Sequence, residues 1–279
     1  MDHIPFLKMS GSGNDFIIID HRNEFIDENT LTRLITGVCR RKLSVGADGF
    51  ILIENSKQHD FSWRFYNSDG SRAEMCGNGA RCAARFAQLN GIAGAELSFE
   101  TDAGVIRAQI KADRVKVKMP DPTDIRFDFG VDLEAGSMMV SSVNTGVPHV
   151  IILQDQIDDL DVVGIGREIR YHRDFAPAGT NVNFICRNDG NAIAIRTYER
   201  GVEDETLACG TGSIASALVA AGKLEMNSPI DVMTRSGEYL TIYFAENKGC
   251  FHSIFMEGDA RVIYAGELWE EAWNSRNRI

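Results

Sequence analysis

Two short runs join a cysteine to a glycine turn: Cys76-Gly77-Asn78-Gly79 and Cys209-Gly210-Thr211-Gly212. Each stands before small and apolar residues, Ala80 to Leu89 and Ser213 to Ala221, so each reads as a cysteine at the opening of a helix. The first N–H groups of a helix have no partner inside it and lie at the positive end of its dipole. A thiol held there is favoured as a thiolate, and a carboxylate can rest on the same N–H groups. One such place is a reactive thiol. A matched pair points to chemistry that needs two.

The pair belongs to a longer duplication. The cysteines lie 133 positions apart, and three other blocks repeat at that offset. Ser12-Gly13-Asn14-Asp15-Phe16-Ile17-Ile18-Ile19 falls on Thr145-Gly146-Val147-Pro148-His149-Val150-Ile151-Ile152. Gly46-Ala47-Asp48-Gly49-Phe50-Ile51 falls on Gly179-Thr180-Asn181-Val182-Asn183-Phe184, and Tyr66-Asn67 on Glu199-Arg200. A constant offset means two domains of one fold, and two units are too few for a solenoid or propeller.

The elements that must position these residues are short strands around one strong helix per half. Asp15 to Asp20, Phe50 to Glu54, Phe61 to Tyr66 and Arg114 to Met119 read as strands, followed by Val150 to Leu153, Asn181 to Cys186, Ala192 to Tyr198, Tyr239 to Phe244 and Phe251 to Glu257. Thr30 to Arg41 places Leu31, Leu34, Ile35 and Val38 on one helical face. The helix over 210–222 is apolar around nearly its whole circumference, so sheet must wrap it. Pro120-Asp121-Pro122-Thr123-Asp124 reads as the link between domains spanning 1–122 and 123–264, with a tail, 265–279, packing back on the first.

Composition fits this reading. A chain of 279 residues suits two ordinary domains, and 44% apolar with 25% charged residues are globular values. A net charge of −11 with no Lys/Arg block argues against a nucleic-acid footprint. Met1-Asp2-His3-Ile4-Pro5 lacks the basic and long apolar stretches of a signal peptide, and no apolar run is long enough to span a bilayer. A cytoplasmic enzyme acting on a small molecule is the expectation. Cys39, Cys82, Cys186 and Cys250 lack the glycine turn and read as core thiols. The five residues between Cys76 and Cys82 do not fit a zinc knuckle, and Gly11-Ser12-Gly13 lacks the third glycine of a dinucleotide fingerprint, so neither metal nor cofactor is expected. Arg81 and Arg85 read as a solvated or interdomain face of the first helix.

Five motifs in order then meet a known family. Lys8-Met9-Ser10-Gly11-Ser12-Gly13-Asn14-Asp15-Phe16, Phe65-Tyr66-Asn67-Ser68-Asp69-Gly70-Ser71, Cys76-Gly77-Asn78-Gly79-Ala80-Arg81-Cys82, Tyr198-Glu199-Arg200-Gly201 and Ala208-Cys209-Gly210-Thr211-Gly212 closely resemble diaminopimelate epimerases, from end to end. The resemblance implies an α/β fold of two similar domains, each a barrel-like mixed sheet around a central helix, with the active site in the cleft between. It implies a homodimer and a pyridoxal-independent reaction that interconverts LL- and meso-diaminopimelate, a precursor of lysine and peptidoglycan. On this reading Cys76 and Cys209 are acid and base, with His149 and Glu199 tuning them. Gly77, Asn78, Gly210 and Thr211 hold the α-carboxylate. Asn14, Asn67, Asn181 and Arg200 hold the distal end, with Glu199 near an ammonium group.

Three features depart from the common pattern. Val147 replaces an asparagine, Gly49 stands where some members carry glutamine, and one extra residue separates Arg200 from Cys209. A racemase of another amino acid in the same two-thiol superfamily therefore stays open, as do an amino-acid-binding module and a thiol-redox protein. A proline racemase fits less well, because Asn78 stands where those enzymes carry histidine. The phenazine-type branch lacks the cysteine pair.

Overall fold

The computed structural model describes residues 3–274. The chain divides into two compact units, one running to Val117 and resuming at Gly258, the other spanning Lys118–Glu257.

The first unit begins with β1 (Ile4–Gly11), β2 (Asn14–Asp20), α1 (Glu28–Val38), β3 (Gly49–Glu54) and β4 (Phe61–Asn67). A short β5 (Arg72–Ala73) leads to α2 (Gly77–Leu89), then β6 (Glu96–Thr101), β7 (Gly104–Lys111) and β8 (Arg114–Lys118). The second unit holds β9 (Thr123–Leu133), β10 (Gly136–Asn144), β11 (Pro148–Leu153), α3 (Val162–Arg170), β12 (Asn181–Asn188) and β13 (Ala192–Glu199). After β14 (Asp204–Thr206) come α4 (Gly210–Leu224), β15 (Ile230–Met233), β16 (Tyr239–Asn247) and β17 (Cys250–Asp259). The chain returns as β18 (Arg261–Leu268), which pairs antiparallel with β1. Residues 275–279 of the expected tail lie outside the described residues.

The two sheets share one plan. Strand order is β18-β1-β2-β3-β4-β6-β7-β8 in the first unit and β9-β10-β11-β12-β13-β15-β16-β17 in the second. Each contains two parallel steps, β2–β3 and β4–β6, then β11–β12 and β13–β15. A parallel step needs a crossover, and a helix supplies it each time. The second crossover of each unit is the helix that follows the reactive-looking cysteine.

Burial explains the elements. Phe16 to Ile19 and Phe50 to Ile53 are continuous apolar runs, as strands covered on both faces require. Helix α1 puts Leu31, Leu34, Ile35 and Val38 against Ile17, Ile19, Phe50 and Leu52. Each such side chain contributes about 1.5–3 kcal/mol relative to exposure. Asp27 caps α1 by accepting from Asn29 N at 3.0 Å. The helix stops at Val38 rather than reaching Arg41, and Lys42 (φ 68°) turns the chain away. Helix α4 is buried all round from Gly212 to Ala220 and packs on β10, β11, β12, β13, β15 and β16. Helix α2 packs on β1, β2, β3 and β7.

Candidate active site

In the first unit, Ser12 (φ 48°) and Gly13 (φ 90°) turn the chain between β1 and β2, with Gly11 paired to Asn14. Two positive φ values make this the tight hairpin turn whose twist matches its strands. Asn14 therefore opens β2 instead of shaping the turn. Its Oδ1 accepts from Asn78 Nδ2 at 2.7 Å, and its Nδ2 donates to Asp48 Oδ2 at 3.2 Å. Cys76 is the extended N-cap of α2 (φ −147°, ψ 119°), half-buried, with Sγ 3.5 Å from Gly79 N. Gly77 and Asn78 form the first turn behind it. Asn67 ends β4, exposed, its Nδ2 donating to Ser71 Oγ at 3.0 Å. The structure thus brings Asn14, Cys76, Gly77 and Asn78 together and leaves Asn67 at a strand end.

In the second unit, Cys209 caps α4 in the same extended conformation (φ −126°, ψ 111°) but is buried. Its Sγ lies 3.6 Å from Thr211 Oγ1, and Thr145 Oγ1 donates to Thr211 O at 3.1 Å, anchoring the first turn. Burial, reinforced by the Glu199 charge, pushes the Cys209 thiol up to about 12, against the Thr211 hydroxyl and the N–H groups of Gly212 and Thr211. The helix end alone does not make this cysteine a thiolate. Burial likewise raises the Glu199 carboxyl above its ordinary range, partly offset by Thr206.

Asn183, which sequence reasoning passed over, organises this site. It is fully buried, and its Nδ2 donates to Val150 O at 3.0 Å while its Oδ1 accepts from Thr197 Oγ1 at 3.0 Å. A carbonyl can only accept, so the amide orientation is fixed, and Nδ2 also donates to His149 Nδ1 at 3.1 Å. The neutral His149 proton therefore sits on Nε2, a buried donor with no partner among the described residues. Burial, helped by the Arg200 charge, pushes His149 down to about 3 from its ordinary 6.5. The only signal in the sequence was an asparagine inside an apolar strand.

Two outcomes follow from this packing. Between pH 6.5 and about 3 the unfolded chain binds a proton that folded His149 refuses, so stability should fall as pH drops through that window. Urea melts at pH 7 and pH 5 should show a smaller acid loss in His149→Gln than in the parent; equal losses would place the extra protons elsewhere. A Cβ on Gly212 would lie 2.4 Å from Asn183 Oδ1. Gly212→Ala should cost about 1–3 kcal/mol in denaturant stability, the usual range for overpacking. An unchanged melt would show that Asn183 moves freely.

The residues expected at the distal end of the substrate already hold partners in the fold. Asn181 Oδ1 accepts from Arg200 N at 2.9 Å, and its Nδ2 donates to Pro148 O at 3.1 Å. Arg200 Nη1 makes only long contacts, 3.3 Å to Ala178 O and 3.5 Å to Gly179 O. It has no ion pair among the described residues, so its fork is open to an anion. Among the described residues no three His, Cys, Asp or Glu side chains cluster as metal ligands.

Two readings need correction. Arg81 is not a solvated face: it is 0% exposed, folded back over the first turn of α2. Cys250 is exposed at the start of β17, whereas Cys39 and Cys82 are buried and Cys186, half-buried, packs against the second unit's core.

A family model described as diaminopimelate epimerase matches residues 6–125 and 141–263. The chain belongs to the diaminopimelate epimerase family. It is therefore an enzyme, an isomerase. It is 44% identical over 279 residues to a diaminopimelate epimerase of Aquifex aeolicus, covering 96% of this chain and 99% of that one. It is 46% identical over 274 residues to one from Hydrogenobaculum, covering 94% and 97%. A PhzF-family phenazine biosynthesis protein of Bacillus anthracis shares the fold at a TM-score of 0.73 and 18% identity, over 96% and 99% of the two chains. So does a probable proline racemase of Agrobacterium radiobacter, at 0.67 and 16%, over 98% and 94%. Diaminopimelate epimerase is thus one chemistry among several on this fold, and the site residues must argue which.

Proposed function

We propose that this chain interconverts LL- and meso-2,6-diaminopimelate without a cofactor, by two-base proton transfer at the α-carbon, on the route to lysine and peptidoglycan. One observation carries the reading: each unit places a cysteine as the N-cap of a crossover helix, beside that helix's first N–H groups. A thiolate takes the α-proton from one face of the carbon. The electron pair left behind spreads into the α-carboxylate, held by the N–H groups of Gly77, Asn78, Gly210 and Thr211. The other thiol then gives its proton to the opposite face and becomes the thiolate. Losing one such oriented donor costs about 10²–10³ in rate by analogy with oxyanion holes.

The distal carboxylate sits on the open Arg200 fork, with Asn14, Asn67 and Asn181 around it and Glu199 near an ammonium group. The hydrogen bonds that already fix Asn14 and Asn181 leave each amide further valences for a ligand. His149, neutral with an unfilled Nε2–H, serves as a fixed dipole beside the second thiol. The enzyme works as a cytoplasmic homodimer on this reading. Among the described residues no helix is long and apolar enough to cross a membrane.

One observation favours a second reading, a two-thiol racemase with another amino-acid substrate. A Cβ on Gly49 would lie 2.7 Å from Phe65 Cε2 and 3.0 Å from Phe16 Cδ1, so aromatic rings fill the space a glutamine would need. A racemisation assay over a panel of amino acids separates the two. Diaminopimelate should turn over and monocarboxylic amino acids should not; the reverse pattern would establish the second reading.

A further inference from the structure

The two cysteine sites are alike in backbone and opposite in charge. At the duplication offset Arg81 on α2 corresponds to Ile214 on α4, and both are fully buried. A buried cation thus stands where the twin helix has an aliphatic side chain. The guanidinium lies back over the opening turn, as helical side chains do. Its Nη2 donates to Asn78 Oδ1 at 2.7 Å and Ser12 Oγ at 2.8 Å, its Nε to Asp259 O at 3.2 Å and its Nη1 to Gly77 O at 3.5 Å. All four acceptors are neutral. A buried charge without a carboxylate is costly unless another anion completes it.

Besides Cys82, two groups that can carry negative charge lie within the guanidinium's electrostatic reach, Asp259 and Cys76. Asp259 faces the site, but its Oδ1 is held by Ser12 N at 3.0 Å and its Oδ2 by Arg261 Nε at 2.9 Å. Arg85, bonded to Ala260 O, and Arg114 add positive charge. Burial pushes the Cys82 thiol up, so it stays neutral. Lys8, Asp15, Arg41 and Asp48 pair among themselves beyond Asn14. Cys76 caps the turn that the guanidinium overlies. In the second unit the charge facing Cys209 is instead the Glu199 carboxyl.

We propose that Arg81 is the positioning residue of the first thiol, keeping Cys76 as the thiolate in the resting enzyme and locking the Asn78 amide, while Cys209 rests as the protonated thiol. The fold then supplies one base and one acid before substrate arrives. Each turnover in one direction leaves Cys76 protonated and Cys209 charged beside Glu199, and the pair resets by giving one proton to solvent and taking one back. This rests on the two-thiol reading above, and deepens it.

The test is the pH dependence of iodoacetamide alkylation, followed thiol by thiol by peptide mapping of the full chain. In the parent, the Cys76 midpoint should fall below that of Cys209; equal midpoints or the reverse order would overturn the proposal, even if no Arg81 variant folds. Arg81→Met should raise the Cys76 midpoint by about one unit or more, and Arg81→Lys should restore most of it. An Arg81→Met protein that is folded with an unshifted Cys76 profile would reduce Arg81 to a strut. Absence of diaminopimelate epimerisation in the parent would instead sink the function, and the alkylation profiles would still read out.

Discussion

Cys76→Ala and Cys209→Ala proteins should each lose inversion completely, yet each should still exchange the α-hydrogen of one stereoisomer with D₂O. Each variant keeps one thiol on one face. That thiol can take a proton from the isomer presenting its hydrogen there, exchange it with solvent, and return deuterium with retention. The two variants should therefore prefer opposite isomers, which mass spectrometry on LL- and meso-diaminopimelate reads directly. The same preference in both would mean one shared base. A variant that still inverts would remove its cysteine from the mechanism.

Arg200→Ala should be the most damaging change away from the thiols. The Val147 side chain offers no hydrogen bond, so on the proposed reading the distal carboxylate would lean on Arg200, Asn67 and Asn181. Removing one partner of a hydrogen-bonded charge pair costs about 2–5 kcal/mol, roughly 30- to 5,000-fold in kcat/KM for diaminopimelate. The side chain makes only two long contacts with backbone carbonyls, so the thermal melt should barely move. Unchanged kcat/KM would take Arg200 out of the site.

Much of this arrangement was legible in the residues, and the exceptions have physical reasons. The cysteine motifs declared themselves because a glycine turn before small residues is the local signature of a helix opening, and the N-caps need nothing distant to form. The wrapped helix α4 followed from its apolar circumference. Arg81 misled because an arginine on a helix is normally solvated; what buries it is Asp259, contributed by the chain's return 178 residues later. Asn183 was silent for a similar reason, since its partners Thr197, Val150 and His149 come together only when β11, β12 and β13 pair. Strand β18 was hidden too, as Arg261 to Leu268 is mostly exposed and gains its meaning from pairing with β1. The burial of Cys209 was silent as well, because a helix end is visible in sequence and burial is not.

The central claim is that two thiols act on opposite faces of one carbon of diaminopimelate. The most direct measurement is the early reaction of the parent enzyme with LL-diaminopimelate in D₂O, with deuterium counted separately in product and recovered substrate. Two separate groups require meso product carrying one α-deuterium, while unreacted LL-diaminopimelate stays unlabelled. Deuterium entering recovered substrate as fast as product, or no meso product at all, would contradict it.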